Sequence, residues 1–187
     1  MTKKRCGWCQ GDALYEHYHD TEWGVPVKDD ATLFEFLILE TFQAGLSWIT
    51  ILRKRENFRT AFDQFDYKKI AMYDGSKLEE LLQNAGIIRN KLKVKAAVSN
   101  AQAFIKVQEE FGSFSKYIWS FVDDKPITHK VENYKEIAPT SELSDKISKD
   151  LKKRGFKFVG STVVYAKLQA IGMINDHEIS CFRYSQV

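Results

Sequence analysis

The sequence has few cysteines, few prolines and no long apolar run, and each shortage excludes a class of protein. Three cysteines among 187 residues are too few, and odd in number, for a disulfide framework, so burial or metal binding explains them better. No apolar run is long enough to span a bilayer, and residues 1–9 are basic and then polar, unlike a signal peptide. We therefore expect a cytoplasmic protein with no membrane partner.

Charge of one sign is also scarce. The chain has 28 basic and 25 acidic residues, and its net charge of +3 is too small to indicate a nucleic-acid partner by itself. The hydrophobic fraction of 44% is enough to bury one sizeable core. No repeat, low-complexity tract or change of composition divides the chain, so residues 1–187 are predicted to form one domain.

Several catalytic motifs are absent as well. There is no His-Glu-x-x-His, no glycine-rich phosphate loop and no Gly-x-Ser-x-Gly, which argues against the commonest metalloproteases, nucleotide-binding proteins and esterases. The sequence also lacks the His-x-Glu and Pro-Cys-x-x-Cys signature of the zinc-dependent nucleobase deaminases.

Helical periodicity is the dominant pattern that is present. Apolar residues recur at helical spacing from Leu33 to Phe42, after Asp29-Asp30 and before Gly45. A Ser76–Glu79 capping box predicts another helix start. Similar signals predict helices over 47–58, 90–110, 113–122, 140–155 and 161–171. No alternating strand pattern persists, and 125–139 is the longest irregular stretch, so the fold class is predicted to be all-α, with about eight to ten short helices.

Both ends of the chain carry residue types that bind metals. Asn175-Asp176 can cap a last helix, on which His177 and Cys181 would lie four residues apart on one face. Two ligands from each end would close a tetrahedral zinc site with no open position for a substrate water. Spacing alone leaves the pairing open, and a core cysteine with a surface histidine is the simpler alternative. The candidate partners near the other end are Cys6, Cys9, His17 and His19.

A family resemblance runs through nearly the whole chain. The segments 6–8, 18–20 and 43–48, which read CGW, YHD and QAGLSW, resemble motifs of the 3-methyladenine DNA glycosylase I family. Further matching segments follow in the expected order as far as residue 181, at 22–26, 33–35, 54–56, 85–89, 119–121, 155–160 and 175–177. The resemblance implies a single fold of the helix-hairpin-helix glycosylase superfamily that excises N3-methyladenine from alkylated double-stranded DNA.

The resemblance also implies one structural zinc ion that joins the two ends of the chain. The histidine of the Tyr-His-Asp motif is the family's ligand, which favours His19 over His17, and the first cysteine is favoured over Cys9, which is assigned no role. The implied ligands are Cys6, His19, His177 and Cys181.

Glu40 interrupts an otherwise apolar helix, and glutamate is seldom buried without a partner. From the residues alone, Glu40 would lie at a helix edge in water or pair with an arginine. The resemblance instead places it in a base pocket, where a carboxylate accepts hydrogen bonds from the exocyclic amino group and favours a cationic ring over neutral adenine. Glu40 and Tyr18 are the candidate catalytic residues.

Aromatic side chains are concentrated near Glu40 in the implied fold. Core packing accounts for some of them, but the faces of electron-rich rings also attract a cationic purine, by about 0.5–2 kcal/mol per contact. The resemblance assigns Trp48 to stacking on the base. The other candidate base-binding residues are Tyr15, Trp8 and Trp23.

The turn at 155–160 resembles the hairpin of the superfamily. Glycine lets the backbone approach a phosphate there, and the following helix start offers free N–H groups. Phe158 stands where the superfamily usually has glycine, so we expect a weaker grip on the phosphate. The candidate DNA contacts at this turn are Lys157, Gly160, Ser161 and Thr162, with charge added by Lys152, Lys153 and Arg154.

Gly45 and Leu46 lie between two predicted helices and beside Trp48. They are candidate DNA contacts that would wedge into the base stack when the base leaves it. A simple interhelical turn is the alternative.

The expected mechanism follows from the leaving group. Methylation at N3 makes the base a cation and weakens the glycosidic bond, so the enzyme needs to extract the nucleotide, hold the cation and admit water. No lysine is placed to suggest a Schiff base, so a monofunctional, monomeric glycosylase is expected. Asp176 falls near the catalytic aspartate of larger relatives but is interpreted as a helix cap before His177. A zinc-stapled DNA-damage-binding protein without turnover is the alternative function.

Overall fold

The computed structural model describes residues 3–187. Its helices are α1 (Ala13–Thr21), α2 (Asp30–Gln43), α3 (Trp48–Ala61), α4 (Tyr67–Ile70), α5 (Gly75–Gln83), α6 (Lys91–Phe111), α7 (Phe114–Trp119), α8 (Glu142–Lys153) and α9 (Ser161–Ala170). Short 3-10 helices cover Gly7–Cys9, Asp63–Phe65, Ser120–Val122 and Tyr134–Glu136. The prediction of a mostly helical fold is confirmed. Within the described chain, no helix has the length and apolar character needed to cross a bilayer.

Helix α2 lies at the centre of the fold, packed against α3, α6, α7 and α9. The side chain of Asp29 begins the helix by accepting a hydrogen bond from the Thr32 backbone N–H at 2.8 Å. Nine of the 14 residues of α2 are buried, because apolar side chains cover almost its whole circumference. The ring of Phe42 packs 4.8 Å from that of Phe58. The same helix carries the carboxyl group of Glu40 into the interior.

The predicted capping box at Ser76 is wrong. The carboxylate of Asp74 accepts a hydrogen bond from the Lys77 backbone N–H at 2.9 Å, so α5 begins one residue before Ser76. An aspartate caps a helix as well as a serine does, so the helix starts two residues earlier than the predicted box at Ser76 would place it.

The expectation of no strands is also wrong. Strand β1 (Ile127–Thr128) pairs in parallel with β2 (Ile174–Asn175), with Ile127 opposite Ile174. The backbone N–H groups of Ile127 and His129 donate to the carbonyls of Met173 and Asn175. This pairing fixes the irregular segment 125–139 against the end of the chain.

The predicted last helix does not form, and His177 and Cys181 lie in irregular backbone after β2. The side chain of Asn175 accepts a hydrogen bond from the His177 backbone N–H at 3.1 Å, so a local turn takes the group that a helix would have used. Asp176 is therefore not a helix cap.

Helices α8 and α9 are joined by a tight connection. Ser141 and Ser144 form a reciprocal capping box that begins α8. Gly155 has a φ of +95° and Phe158 a φ of +56°, both in the left-handed region. This conformation explains why glycine suits the Phe158 position, since a side chain there carries a steric cost of about 1 kcal/mol or more.

Candidate active site and metal centre

A cavity of about 260 Å³ opens among α1, α2, α3 and α9. It contains all six residues that were predicted to bind or act on a base. The lining residues are Trp8, Tyr15, Tyr18, Trp23, Glu40, Gln43, Trp48, Tyr134, Ile137, Ala166, Gln169 and Ala170.

Aromatic rings form two adjoining walls of this cavity. The Trp8 ring packs edge-on against those of Tyr15 and Trp23, with centroids 4.8 and 4.9 Å apart. On the other wall, Tyr18 and Trp48 are 5.6 Å apart. The indole Nε1 of Trp48 is buried without a hydrogen-bond partner among residues 3–187. Such a site offers ring faces and unused polar atoms to a flat ligand.

Glu40 is the acidic group of the cavity and is only 3% exposed. Its Oε2 atom lacks a hydrogen-bond partner within the described chain. Burial raises the pKa of Glu40 to about 8, although Lys167 opposes the rise. Glu40 therefore lies neither at a wet helix edge nor beside an arginine. Arg55, on the neighbouring helix α3, is bound to Glu35 instead.

The two tyrosines supply protonated phenols. Burial, Cys9 and Glu40 raise the pKa of Tyr15 to about 12. Burial and Glu40 also hold the pKa of Tyr18 well above its ordinary value. Both hydroxyl groups therefore remain hydrogen-bond donors at neutral pH.

Sequence reasoning missed several residues of the site. Tyr134 comes from the irregular segment 125–139, for which the sequence carries no pattern that predicts a pocket wall. Gln169 was missed because glutamine on a helix is common at surfaces. Lys167 lies in the mostly apolar helix α9 and is 3% exposed, so the argument that singled out Glu40 would also have found it.

The candidate metal centre brings together three of the four implied ligands. The donor atoms of Cys6, His19 and Cys181 all lie within 4.8 Å of one another, and all three residues are buried. The Cys181 Sγ and His19 Nε2 atoms are 3.4 Å apart, close to the separation of about 3.5 Å that sulfur and nitrogen ligands have on tetrahedral zinc. The hydrogen bond between the two cysteines lowers the pKa of Cys181 and raises that of Cys6, so Cys181 is the sulfur that more readily becomes the thiolate that a metal requires.

His177, the fourth implied ligand, lies beside this cluster but is not among the three donors that meet within 4.8 Å. Its Nε2 atom is buried without a partner in residues 3–187, and its ring lies 5.0 Å from that of His19. Burial and the neighbouring His19 lower the pKa of His177 to about 3, so the imidazole is neutral. The Nδ1 atom of His177 bonds to the Asn175 side chain at 3.0 Å, and that of His19 bonds to Asp20 at 2.9 Å. The contact with Asp20 orients the His19 ring so that its Nε2 atom meets Cys181.

Cys9 lies near this cluster with a different partner. It is buried, and its thiol donates to the Cys6 carbonyl oxygen at 3.3 Å. Of the four implied ligands, Cys6, His19 and Cys181 therefore form the cluster, and the His177 ring lies next to that of His19.

Comparison with known proteins agrees with the geometry of this site. A family model described as methyladenine glycosylase matches residues 8–184. The chain belongs to the methyladenine glycosylase family. This membership confirms the resemblance predicted from the motifs and the prediction of a glycosylase.

Relatives in the methyladenine glycosylase family match over nearly their whole length. The DNA-3-methyladenine glycosylase 1 of Escherichia coli (strain K12) is 48% identical over 181 residues, 97% of each chain. The DNA-3-methyladenine glycosylase of Haemophilus influenzae (strain ATCC 51907 / DSM 11121 / KW20 / Rd) is 46% identical over 177 residues, 95% of this chain and 96% of the relative. A solved structure of a variant 3-methyladenine DNA glycosylase I in complex with 3-methyladenine superposes with a TM-score of 0.93, at 36% identity, covering 96% of this chain and 97% of that one.

The α8–α9 turn of this family member presents the candidate phosphate contacts. Helix α9 begins at Ser161, so the first-turn N–H groups at 160–162 have no partner within the helix. The Ser161 hydroxyl is hydrogen-bonded to the Ser144 hydroxyl at 2.7 Å. Lys157 is exposed. Arg154 is bound to Asp150 and Glu110, so it adds less positive charge than the sequence suggested.

The α2–α3 loop lies at the cavity edge. Gly45 has a φ of +82°, and Leu46 is 39% exposed, an unusual position for a large apolar side chain beside a pocket. The ammonium of Lys93 donates to the carbonyls of Phe42 and Ala44 at 2.8 and 2.5 Å. The loop is therefore held rigidly at its base while its tip is presented to solvent.

Asp176 is buried and fully engaged. Its carboxylate accepts hydrogen bonds from the Tyr165 hydroxyl and the Gln169 amide, each at 2.7 Å, and lies 2.7 Å from His129 Nδ1. It is not among the residues that line the cavity.

Proposed function

We propose that this chain is a monofunctional DNA glycosylase that extracts N3-methyladenine from double-stranded alkylated DNA and hydrolyses its N-glycosidic bond. The observation that carries the proposal is the unpartnered carboxyl group of Glu40 inside an aromatic cavity. The relatives are named for the same activity, and one solved relative is described as a complex with 3-methyladenine.

Recognition of the cation is assigned to Glu40 and the ring faces. The base enters between Trp48 and the tyrosines, where stacking on aromatic rings contributes about 1–3 kcal/mol per base. A cationic base favours the ionised form of Glu40, and the carboxylate then accepts a hydrogen bond from the exocyclic amino group and discriminates against neutral adenine. The protonated phenols of Tyr15 and Tyr18 orient the ring. Trp8 and Trp23 close the wall behind it.

The chemical step needs little help from the protein. Water adds to the sugar C1′ atom, the bond from C1′ to the base nitrogen breaks, and its electron pair neutralises the positive ring. The proton of the attacking water leaves to solvent, and the products are neutral 3-methyladenine and an abasic site. Glu40 and Tyr18 act by holding the cation while the bond weakens, so electrostatic stabilisation is the main contribution.

Contacts to DNA are assigned to two surfaces on either side of the cavity mouth. The backbone N–H groups of Gly160, Ser161 and Thr162, with the charge of Lys157, bind a phosphate at the start of α9. Leu46, carried by Gly45, enters the space that the extracted base leaves in the stack.

Zinc is assigned a structural role. Cys6, His19, His177 and Cys181 would hold one ion, which supplies a cross-link between the two ends of the chain and leaves no open coordination position. This zinc clip, formed by the four ligands and the ion, would hold the segment that carries Trp8 and Tyr15 against the cavity.

The deciding experiment uses duplex DNA methylated to contain N3-methyladenine. We expect released base by chromatography and an equal number of abasic sites, without strand cleavage. Unmethylated duplex is the control for specificity. Binding of the methylated duplex without release of base would overturn the proposal and support the damage-binding alternative.

A further inference from the structure

Asn100 is a buried amide on the side of α6 that faces the core. It is 0% exposed, and the buried residues beside it on the helix, Ala97, Ala101 and Phe104, are apolar. A polar side chain in such a place is stable only when its hydrogen bonds are made. The hydrogen bonds of the Asn100 side chain all lead to other elements of the fold.

The main partner of Asn100 is the backbone of Lys157, in the turn between α8 and α9. The Oδ1 atom of Asn100 accepts a hydrogen bond from the Lys157 N–H at 2.7 Å, and its Nδ2 atom donates to the Lys157 carbonyl at 3.1 Å. One orientation of the amide satisfies both backbone groups, so the two bonds fix the turn as well as the side chain. The Nδ2 atom also donates to Thr41 Oγ1 on α2, at 3.4 Å. Asn100 therefore ties the turn to the central helix of the fold.

Ser148 of α8 holds the other side of the same turn. It is 3% exposed, and its hydroxyl donates to the Val159 carbonyl at 2.6 Å. Phe158 lies between the two held residues with a φ of +56°, a left-handed conformation that is unfavourable for any residue with a Cβ atom. Two buried side chains therefore fix the backbone on both sides of Phe158.

This turn leads directly into the start of α9. Gly160 is the N-cap residue, and among residues 3–187 no side chain caps the helix there. The first N–H groups of α9 are therefore left for another acceptor. Their direction depends on the backbone at 157–159, which Asn100 and Ser148 hold.

We propose that Asn100 and Ser148 are positioning residues that keep Phe158 in the left-handed conformation and so aim the N–H groups of α9 at a DNA phosphate. The inference rests on the proposed function, in which these groups bind the phosphate. Glycine would reach this conformation freely, whereas phenylalanine needs the two side chains. Without them the turn adopts the binding conformation only part of the time, and the apparent affinity for DNA falls by that fraction.

The test is a double-mutant cycle with Phe158→Gly. Asn100→Ala and Ser148→Ala are each made in wild type and in Phe158→Gly. Fluorescence anisotropy gives Kd for unmethylated and methylated duplexes, and base release gives KM and kcat. We expect Asn100→Ala to raise Kd for both duplexes, and KM, by about tenfold without changing kcat. In Phe158→Gly the same substitution should raise Kd by less than about threefold, because glycine needs no support in this conformation.

Ser148→Ala removes a single hydrogen bond, so we expect the same pattern with a smaller loss of affinity. It decides the question if Asn100→Ala does not fold. The matched control is Val107→Ala, at a core position on the same helix that is 1% exposed. This variant should lower Tm by leaving a cavity, while it binds DNA as wild type does.

An unchanged Kd in folded Asn100→Ala would overturn the inference. So would an equal rise of Kd in wild type and in Phe158→Gly, or a similar rise in Val107→Ala, since either would reflect a general loss of stability. If wild type binds duplex DNA but releases no base, the proposed function fails instead, while the cycle on Kd still decides whether the two side chains support the turn.

Discussion

Glu40 joins two properties that rarely occur in one side chain, since it is buried and yet one of its oxygens is unpartnered. The interior of a protein normally satisfies such a group or excludes it. A buried acceptor without a partner is available to a ligand. Until the ligand binds, the missing hydrogen bond lowers the stability of the folded state.

Glu40→Gln should lower excision of N3-methyladenine by about 10²-fold, the effect of removing one preorganised electrostatic contact. The amide has nearly the same shape, so it removes the charge while Tm is not lowered. The measurements are kcat/KM on methylated duplex and thermal unfolding of the same preparations. Glu109→Gln on the exposed face of α6 is the control. Equal losses of activity and Tm in Glu40→Gln would make the residue structural.

The same residue predicts a pH dependence of stability. Burial raises the pKa of Glu40 from its ordinary 4.5 to about 8, so the folded state holds a proton that the unfolded state has released between these values. The protonated Glu40 carboxyl group makes its full contribution to the free energy of unfolding below about pH 4.5. This contribution is lost as pH rises through about 8, at up to about 1.4 kcal/mol per pH unit. Relative to Glu40→Gln, wild type should therefore become less stable from pH 5 to 9. Denaturant unfolding at pH 5, 7 and 9 checks this, and parallel curves would contradict it.

At the residue scale, the sequence predicted the members of the cavity but not all their partners. Glu40 was conspicuous because it interrupts an apolar helix, and the aromatic residues were assigned through the family motifs. Tyr134 and Gln169 have no such pattern around them, and their place in the cavity depends on how 125–139 and α9 pack.

The α8–α9 turn, at the scale of elements, couples an exposed lysine to a helix start that offers free N–H groups. Phe158 keeps the left-handed conformation that glycine would adopt more easily. The proposed phosphate contact here depends on backbone geometry and on the charge of Lys157, so we expect it to be independent of base sequence.

Lys157→Ala should weaken binding to every duplex by a similar factor. The slope of log affinity against log salt should fall by about 1, because one phosphate contact releases about one counterion. Lys106→Ala is the control because Lys106 is exposed on another helix. Fluorescence anisotropy of labelled duplexes at several salt concentrations provides the measurement. An unchanged slope would place Lys157 outside the DNA contact.

Sequence patterns predicted the long helices well but did not predict the pairing of the two short strands. Helices such as α2 and α6 carry local apolar periodicity and capping residues, which act within one segment. The pairing of β1 with β2 joins residues that are distant in the chain, and two-residue strands leave no alternation to detect. The predicted helix after Asn175 failed because the Asn175 side chain and the β pairing take up its backbone groups.

At the scale of the whole molecule, the proposed zinc clip connects the ends of the chain to the cavity. The Trp23 ring packs 4.5 Å from that of His177 and also lines the cavity. The Glu178 carboxylate accepts hydrogen bonds from the backbone N–H groups of Gly7 and Tyr134, at 3.2 and 3.0 Å. Disturbing the clip should therefore disturb the cavity walls.

Cys181→Ala tests this connection. The variant should lose stoichiometric zinc and unfold at a Tm lower by about 10 °C, since a bound structural ion contributes its binding free energy to folding. The matched control is Cys9→Ala, because Cys9 is also buried beside the cluster but is not one of the implied ligands. Metal analysis of both purified variants decides the matter. Since Trp8 and Trp23 lie against His19 and His177, tryptophan fluorescence should change in Cys181→Ala alone. If Cys181→Ala retains one zinc per chain, then Cys181 is not a ligand, and the ends of the chain are held by another set of contacts.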